Sequence, residues 1–406
     1  MKNIIYTILV LNVLFCTGCT DQLEETIYGK FPEEEYWKTE SELLTGLASA
    51  YGRLVIPWDA PFSLEVFKIE ECASDYAVGA GEWGDYTGWS SIFPGAINNV
   101  YDYLWSSISY CNKVIDKSEE GFQKTQAGEP GRSEELKEQI IVESRAVRVF
   151  CYFNLCTWFG GVPIVTSSTD HRPIIPKQTQ DSVYRFMENE LKEVIPFLPT
   201  KSERMNMTKD YGRVTKGGAE AFLARIYLEQ KKWQECADLT TKLYEDNQRT
   251  REYGLEGNYA DIFSLQNEGY SNSEIMWALP AAGCINGKAV SGMVLHAQLS
   301  RPKKDEEGQP DSGYFPNNYN WGDMSVKRDF YNTFDKNDKR RELLVTVFTD
   351  LKTGRLIDWL AESEWNKPIM NKYPADPSTD GSVSGNDFII IRWADVLLMR
   401  AEALNE

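Results

Sequence analysis

Residues 215–244 read T-K-G-G-A-E-A-F-L-A-R-I-Y-L-E-Q-K-K-W-Q-E-C-A-D-L-T-T-K-L-Y. Apolar and small residues recur here at three and four, pause at Gln230–Lys232, and resume from Trp233. Two helices with a short turn follow, about Thr215–Glu229 and Trp233–Tyr244. Within them Leu223-Ala224-x-x-Tyr227 is followed, after eight intervening residues, by Cys236. This is the spacing at which a tetratricopeptide unit sets the small residues that let its two helices approach closely. Such a pair cannot bury its apolar face without neighbours, so a stack of similar pairs is expected.

The flanking sequence supplies those neighbours. Thr39 and Glu42 have capping-box spacing before Leu43, Leu44, Leu47, Ala48 and Tyr51, one face of a helix. Another helix is expected near Val100–Lys117, carrying Leu104, Trp105, Ile108, Cys111 and Ile115. A long one opens at Ser133 and stops at Gly160-Gly161-Val162-Pro163. A further helix covers about Asp181–Ile195, and the last covers Arg392–Asn405. Residues 75–99 between the first two helices hold five Gly, two Trp and two Tyr without a lasting period and read as loop. Residues 252–392 are richer in Gly, Asn, Pro and Asp, with short apolar runs at Glu274–Leu279 and Phe388–Ile391 that suggest small strands, and irregular spans at 297–325 and 374–387. The mature chain thus divides into a helix-rich half, 19–251, and a loop-rich half, 252–406. The final helix meets the end of the sequence with no Gly and no polar tail, which predicts that the parent chain is longer.

Composition narrows the chemistry. The 406 residues carry 42% hydrophobic and 26% charged side chains, an ordinary folded body. There are 12 Trp and 21 Tyr but only two His, with a formal charge of −18. Zinc sites and acid/base relays rich in His cannot be assembled from His171 and His296. The acidic balance repels phosphate backbones, so nucleic acid is not an expected partner.

The start of the chain is a secretory signal: Lys2, an apolar run from Ile4 to Phe15, then small residues Thr17 and Gly18 before Cys19. The run is too short to span a bilayer as a helix. Small residues directly before a cysteine resemble the bacterial lipobox, which places cleavage after residue 18 and lipid on Cys19. Cys16 stands where that motif usually carries Leu. The tether that follows, Thr20 to Glu25, is polar and acidic. Of the six remaining cysteines (Cys72, Cys111, Cys151, Cys156, Cys236, Cys284), none forms a CxxC pair. They are expected to be small core residues that bind no metal.

Several segments together resemble the SusD/RagB family of surface glycan-binding lipoproteins. Glu143-Ser144-Arg145-Ala146, Tyr152-Phe153-Asn154-Leu155 and Phe159-Gly160-Gly161-Val162-Pro163 match its central signature. Arg213-Val214-Thr215-Lys216-Gly217 through Leu228 resembles the next, and Ile391-Arg392-Trp393-Ala394-Asp395 to Glu406 the third. The resemblance covers essentially the whole mature chain. It implies a mainly α fold: a single scaffold of four tetratricopeptide-like helix pairs with irregular loops and small β-elements. It implies a lipoprotein on the outer-membrane surface that binds oligosaccharide and passes it to a SusC-like TonB-dependent transporter. The signature residues themselves read as scaffold, with Leu397 and Leu398 expected in the core.

Sugars present C–H faces and hydroxyl edges, so a protein gripping them without a metal uses exposed aromatic planes and a few fixed polar groups. Two segments have that mixture. The first is the 75–99 loop, with Asp75, Trp83, Tyr86, Trp89 and Asn98; the second, 314–323, holds Tyr314, Tyr319 and Trp321 among Asn and Asp, and is expected to meet the first across one face. Trp105, Trp158, Trp233, Trp277 and Trp393 lie in periodic segments and are expected to pack. No cofactor is expected. Acidic loops with Asn allow a structural calcium, but no EF-hand pattern of ligands occurs. Two alternatives stand: a secreted glycoside hydrolase, for which 61 Asp and Glu supply carboxylates without specificity, and a tetratricopeptide adaptor, which would favour a basic groove. No GxSxG, HExxH or phosphate-loop pattern supports an enzyme.

Overall fold

The computed structural model describes residues 36–37, 39–56, 59–79, 84, 86–87, 94–120, 134–170, 172–205, 211–285, 288–291, 324–349, 356–358, 361, 368–374 and 383–406. Among these the fold is mainly helical. Helix α1 (Glu40–Val55) leads through a π-helical turn (Pro61–Glu65) into α2 (Val66–Cys72) and strand β1 (Ala77–Gly79). Then come α3 (Pro94–Glu119), α4 (Glu134–Phe159), α5 (Gln180–Val194), the short α6 (Lys201–Met205), α7 (Lys216–Glu229) and α8 (Trp233–Thr250). The second half contributes β2 (Ile275–Leu279), β3 (Gly283–Ile285), β4 (Lys288–Ser291), β5 (Met324–Val326) and α9 (Arg328–Thr333). It continues with β6 (Leu344–Val345), β7 (Val347–Thr349), β8 (Leu356–Asp358), β9 (Ile369–Met370), β10 (Phe388–Arg392) and α10 (Trp393–Asn405).

Side chains set the helix boundaries. Thr39 Oγ1 accepts the Glu42 N–H (3.2 Å) while Glu42 Oε2 accepts the Thr39 N–H (2.7 Å), the expected capping box. Thr179 and Thr215 cap α5 and α7 more simply, each hydroxyl accepting one N–H, from Ser182 and from Gly218. α4 ends at Gly160, whose φ of +74° lets its N–H return to the Cys156 carbonyl (2.9 Å) at no side-chain cost. α3 begins six residues before the expected Val100, because Pro94, with its fixed φ, occupies the first helical position. α8 likewise runs on to Thr250 instead of stopping near Tyr244.

The helices stack in series. α1 packs on α3, α3 on α4, α4 on α5, α5 on α7, α7 on α8, and α8 on α10. Each touches mainly its neighbours, as in a tetratricopeptide array. At the α7–α8 pair, Ala224 and Cys236 are fully buried and Tyr227 nearly so, and the Lys232 N–H closes the turn on the Tyr227 carbonyl (2.9 Å). The centre of the stack is aromatic: the Phe150 ring lies 5.2 Å from Phe62, 5.6 Å from Phe222 and 5.4 Å from Trp277.

The strands form five two-stranded antiparallel sheets among the described residues. β2 pairs with β10, joining the two short apolar runs seen in the sequence. A second core gathers Leu64, Phe67, Tyr86, Phe263, Met324 and Tyr373 outside the stack. Phe388 is the seam, its ring 4.7 Å from Phe62 and 5.5 Å from Phe67.

Trp277 and Trp393 are buried in the main core, and Trp105 and Trp158 pack partly against it. Trp233 stays half-exposed. Leu398 is 67% exposed, contrary to the expected core position, because α10 turns its buried face, with Val396, Met399 and Ala403, towards α8. Cys72, Cys111, Cys151, Cys156 and Cys236 are buried, as expected for packing thiols. Cys19 and the Cys284 side chain lie outside the described residues.

Candidate functional site

The first candidate loop grows from α2. After Cys72 the chain bends, exposes Asp75, and enters β1. β1 does not pair with a sequence neighbour. It pairs antiparallel with β5, matching Ala77 to Val326, Val78 to Ser325 and Gly79 to Met324, and the Lys327 N–H extends the ladder to the Tyr76 carbonyl (2.8 Å). The loop that leaves after Gly79 and the segment that arrives before Met324 therefore share one end of a two-stranded sheet. Those are the two aromatic segments the sequence singled out. Beneath the sheet, Ala77 and Met324 are fully buried in the second core. On the α9 side the Tyr76 ring lies 4.9 Å from Phe330.

The first loop is pinned part-way along. The Gly79 N–H donates to Thr87 Oγ1 (2.8 Å), and the Thr87 N–H closes a turn on the Gly84 carbonyl (3.1 Å). Tyr86, read from the sequence as a ligand-contacting ring, is only 4% exposed and packs in the second core. That is a correction: its ring anchors the loop and is not presented to solvent. Asn98 is exposed as expected, but it stands on the second turn of α3 instead of in a loop. Trp83, Trp89, Tyr314, Tyr319 and Trp321 lie outside the described residues, as do His171 and His296.

Asn99, adjacent to Asn98, faces inward. Its Nδ2 donates to Glu65 Oε1 (3.1 Å) and Asp59 Oδ2 (3.5 Å), and the Tyr103 hydroxyl donates to Asp59 Oδ1 (3.1 Å). Burial pushes the Glu65 carboxyl above its ordinary range, opposed by Lys68 at 3.7 Å. The two carboxylates thus bracket an amide that positions the start of α3. Asp59 and Tyr103 were not singled out as site residues in the sequence, because Tyr103 falls on a helical pattern and Asp59 sits in a short turn with no period. Under β1, burial likewise pushes Glu71 up to about 7, with Lys372 opposing, and burial pulls Lys372 down. Among the described residues no group of three or more His, Cys, Asp or Glu is placed to hold a metal ion.

Two family models match nearly end to end. Residues 65–228 match the model described as "Starch-binding associating with outer membrane", and residues 233–406 match that of the SusD family. The chain belongs to the SusD/RagB family. A SusD-like protein of Formosa agariphila is 24% identical over 447 residues, spanning all of this chain and 78% of that protein. A SusD homologue from Bacteroides thetaiotaomicron superposes with a TM-score of 0.72 at 18% identity, covering 93% of this chain and 76% of that one. Surface glycan-binding protein A from Bacteroides thetaiotaomicron, solved in complex with laminarihexaose, gives 0.68 at 20% identity, with 90% and 78% covered.

Proposed function

We propose that the protein is a non-enzymatic, lipid-anchored glycan-capture protein of the outer-membrane surface, fixed through Cys19, that passes oligosaccharide to a SusC-like TonB-dependent transporter for nutrient uptake. The observation that carries the reading is the pairing of Gly79 with Met324. It roots both aromatic loops at one strand end, with Trp83 and Trp321 four and three residues beyond it. A chain of three or four residues reaches no more than about 10 to 14 Å. In this reading the indoles of Trp83 and Trp321 take the faces of sugar rings, with Trp89, Tyr314 and Tyr319 adding further contacts; Asp75 and Asn98 are exposed. Membership of the family and the laminarihexaose complex of a structural relative support a glycan as ligand. Among the described residues no helix is long and apolar enough to cross a membrane.

The test is calorimetry of the unlipidated protein (Cys19→Ala) against laminarihexaose and a panel of other glycans. Trp83→Ala, Trp89→Ala and Trp321→Ala are each expected to weaken the bound glycan at least about tenfold, or about 1.4 kcal/mol. A glycan that binds with none of these changes altering its affinity would refute the platform. Release of reducing ends would support the hydrolase alternative, and failure of the lipidated protein to co-purify with a TonB-dependent transporter would refute the delivery step.

A further inference from the structure

A second groove, of about 760 Å³, lies between α1 and α3, on the stack and apart from the β1–β5 sheet. Two helical stripes line it. α1 gives Gly46, Ser49 and Arg53, and α3 gives Ser106, Ser109, Tyr110 and Lys113. Residues three, four and seven apart share a helix face, so each set points the same way. Leu43, Val114 and Ile140 are fully buried in a small cluster between these helices and α4, which makes the groove's base rigid. Ser168 closes one end, held by Asp116, whose Oδ2 accepts both its N–H and its hydroxyl at 2.6 Å. Tyr36 and Trp37 supply an aromatic wall, their rings 4.9 Å apart and nearly perpendicular. The Trp37 indole lies so close over Gly46 that a Cβ there would stand 2.4 Å from the ring, so glycine at 46 is what seats it.

The lining is unusual for this chain. In a protein of charge −18, Arg53 and Lys113 stand over one groove, and the Arg53 guanidinium lies 5.6 Å from the centre of the Tyr110 ring. A guanidinium beside an aromatic ring still has N–H donors to offer a planar anion. The serine hydroxyls suit sugar hydroxyls, the rings suit sugar C–H faces, and the two cations suit a carboxylate or sulfate. The geometry points to this groove as a second glycan site that takes an acidic oligosaccharide, one bearing uronate or sulfate groups. The site extends the glycan-capture reading without depending on the loop platform.

The experiment titrates the unlipidated protein (Cys19→Ala) with tri-galacturonate and with its neutral methyl ester. The acid is expected to bind, more weakly as salt rises, and the ester at least about tenfold more weakly. Arg53→Gln and Lys113→Gln are each expected to lower the affinity for the acid about tenfold while leaving the weaker binding of the neutral ester unchanged. Trp83→Ala is expected to leave this binding intact, which separates it from the loop platform. No binding of tri-galacturonate or of a sulfated trisaccharide overturns the proposal, as does equal binding of the ester or an affinity unmoved by Arg53→Gln. Binding that appears only after the acidic residues of 20–35 are neutralised also overturns it, by showing that the chain's own tether occupies the groove.

Discussion

A buried ionic cluster gives the sharpest prediction. Glu143 on α4 is fully buried and receives donors from three other parts of the chain. Arg204 of α6, also fully buried, donates from Nη2 (3.0 Å). Arg213, ahead of α7, donates from Nη2 (2.6 Å) and Nε (2.9 Å), and the Tyr51 hydroxyl of α1 donates at 2.9 Å. Tyr51 in turn accepts the Val214 N–H (3.1 Å). Glu143→Gln keeps the shape but removes the carboxylate charge that faces the Arg204 and Arg213 guanidinium groups. Breaking a buried pair in this way costs about 3–5 kcal/mol, a large part of a typical folding free energy of about 5–15 kcal/mol. Tyr51→Phe removes only the hydroxyl's two bonds and is expected to cost about 1–3 kcal/mol. Urea unfolding followed by tryptophan fluorescence measures both. A double change, Glu143→Met with Arg204→Met, removes both charges and is expected to be less damaging than Glu143→Gln alone. If Glu143→Gln unfolds within about 0.5 kcal/mol of the parent, or the double variant is the weaker of the two, the charge-compensation argument is wrong.

Stability should also depend on Asp387. Burial pushes its carboxyl up to about 7, although the Ala281 N–H donates to it at 2.9 Å and the Tyr211 hydroxyl donates as well. A raised folded-state value means the proton is held more tightly in the folded chain, so this group's cost is absent in acid and grows as pH rises from about 4 to about 7, to about 4 kcal/mol at most. Asp387→Asn is expected to flatten the thermal midpoint across that window; parallel profiles for the two proteins would contradict it. The buried thiols should be inert, since burial pushes Cys151 up to about 12 and Cys236 to about 11. Thiol titration of the native protein is expected to leave Cys72, Cys111, Cys151, Cys156 and Cys236 unmodified and to count them only in denaturant; rapid labelling of Cys151 would refute the packing described.

The helical stack was legible in the sequence because its signals are local. Thr39 with Glu42, Thr179, Thr215 and Gly160 act within one turn of the residues they control, and the Leu223–Cys236 spacing records a contact between adjacent helices. Pro94 was an available signal for the true start of α3 and would have moved Asn98 and Asn99 out of the loop. Tyr86 could not have been read this way. In a Gly-rich segment its ring looks like those of Trp83 and Trp89, and its burial is decided by Phe263, Met324 and Tyr373, far along the chain. The α1–α3 groove was hidden for a similar reason: Ser106, Ser109, Tyr110 and Lys113 read as an ordinary polar face until Arg53 and Trp37 are set opposite.

The ladder between β1 and β5 is three residues long and joins opposite halves of the chain. So short a contact can part without unfolding the helices, and amide exchange in it should report its own low opening free energy. A sugar that grips both loops binds only while the ladder is closed. It would therefore suppress exchange of these amides by a factor of one plus its concentration over Kd. The strand pair would then act as a built-in gauge of occupancy, readable from backbone protection with no label on the ligand.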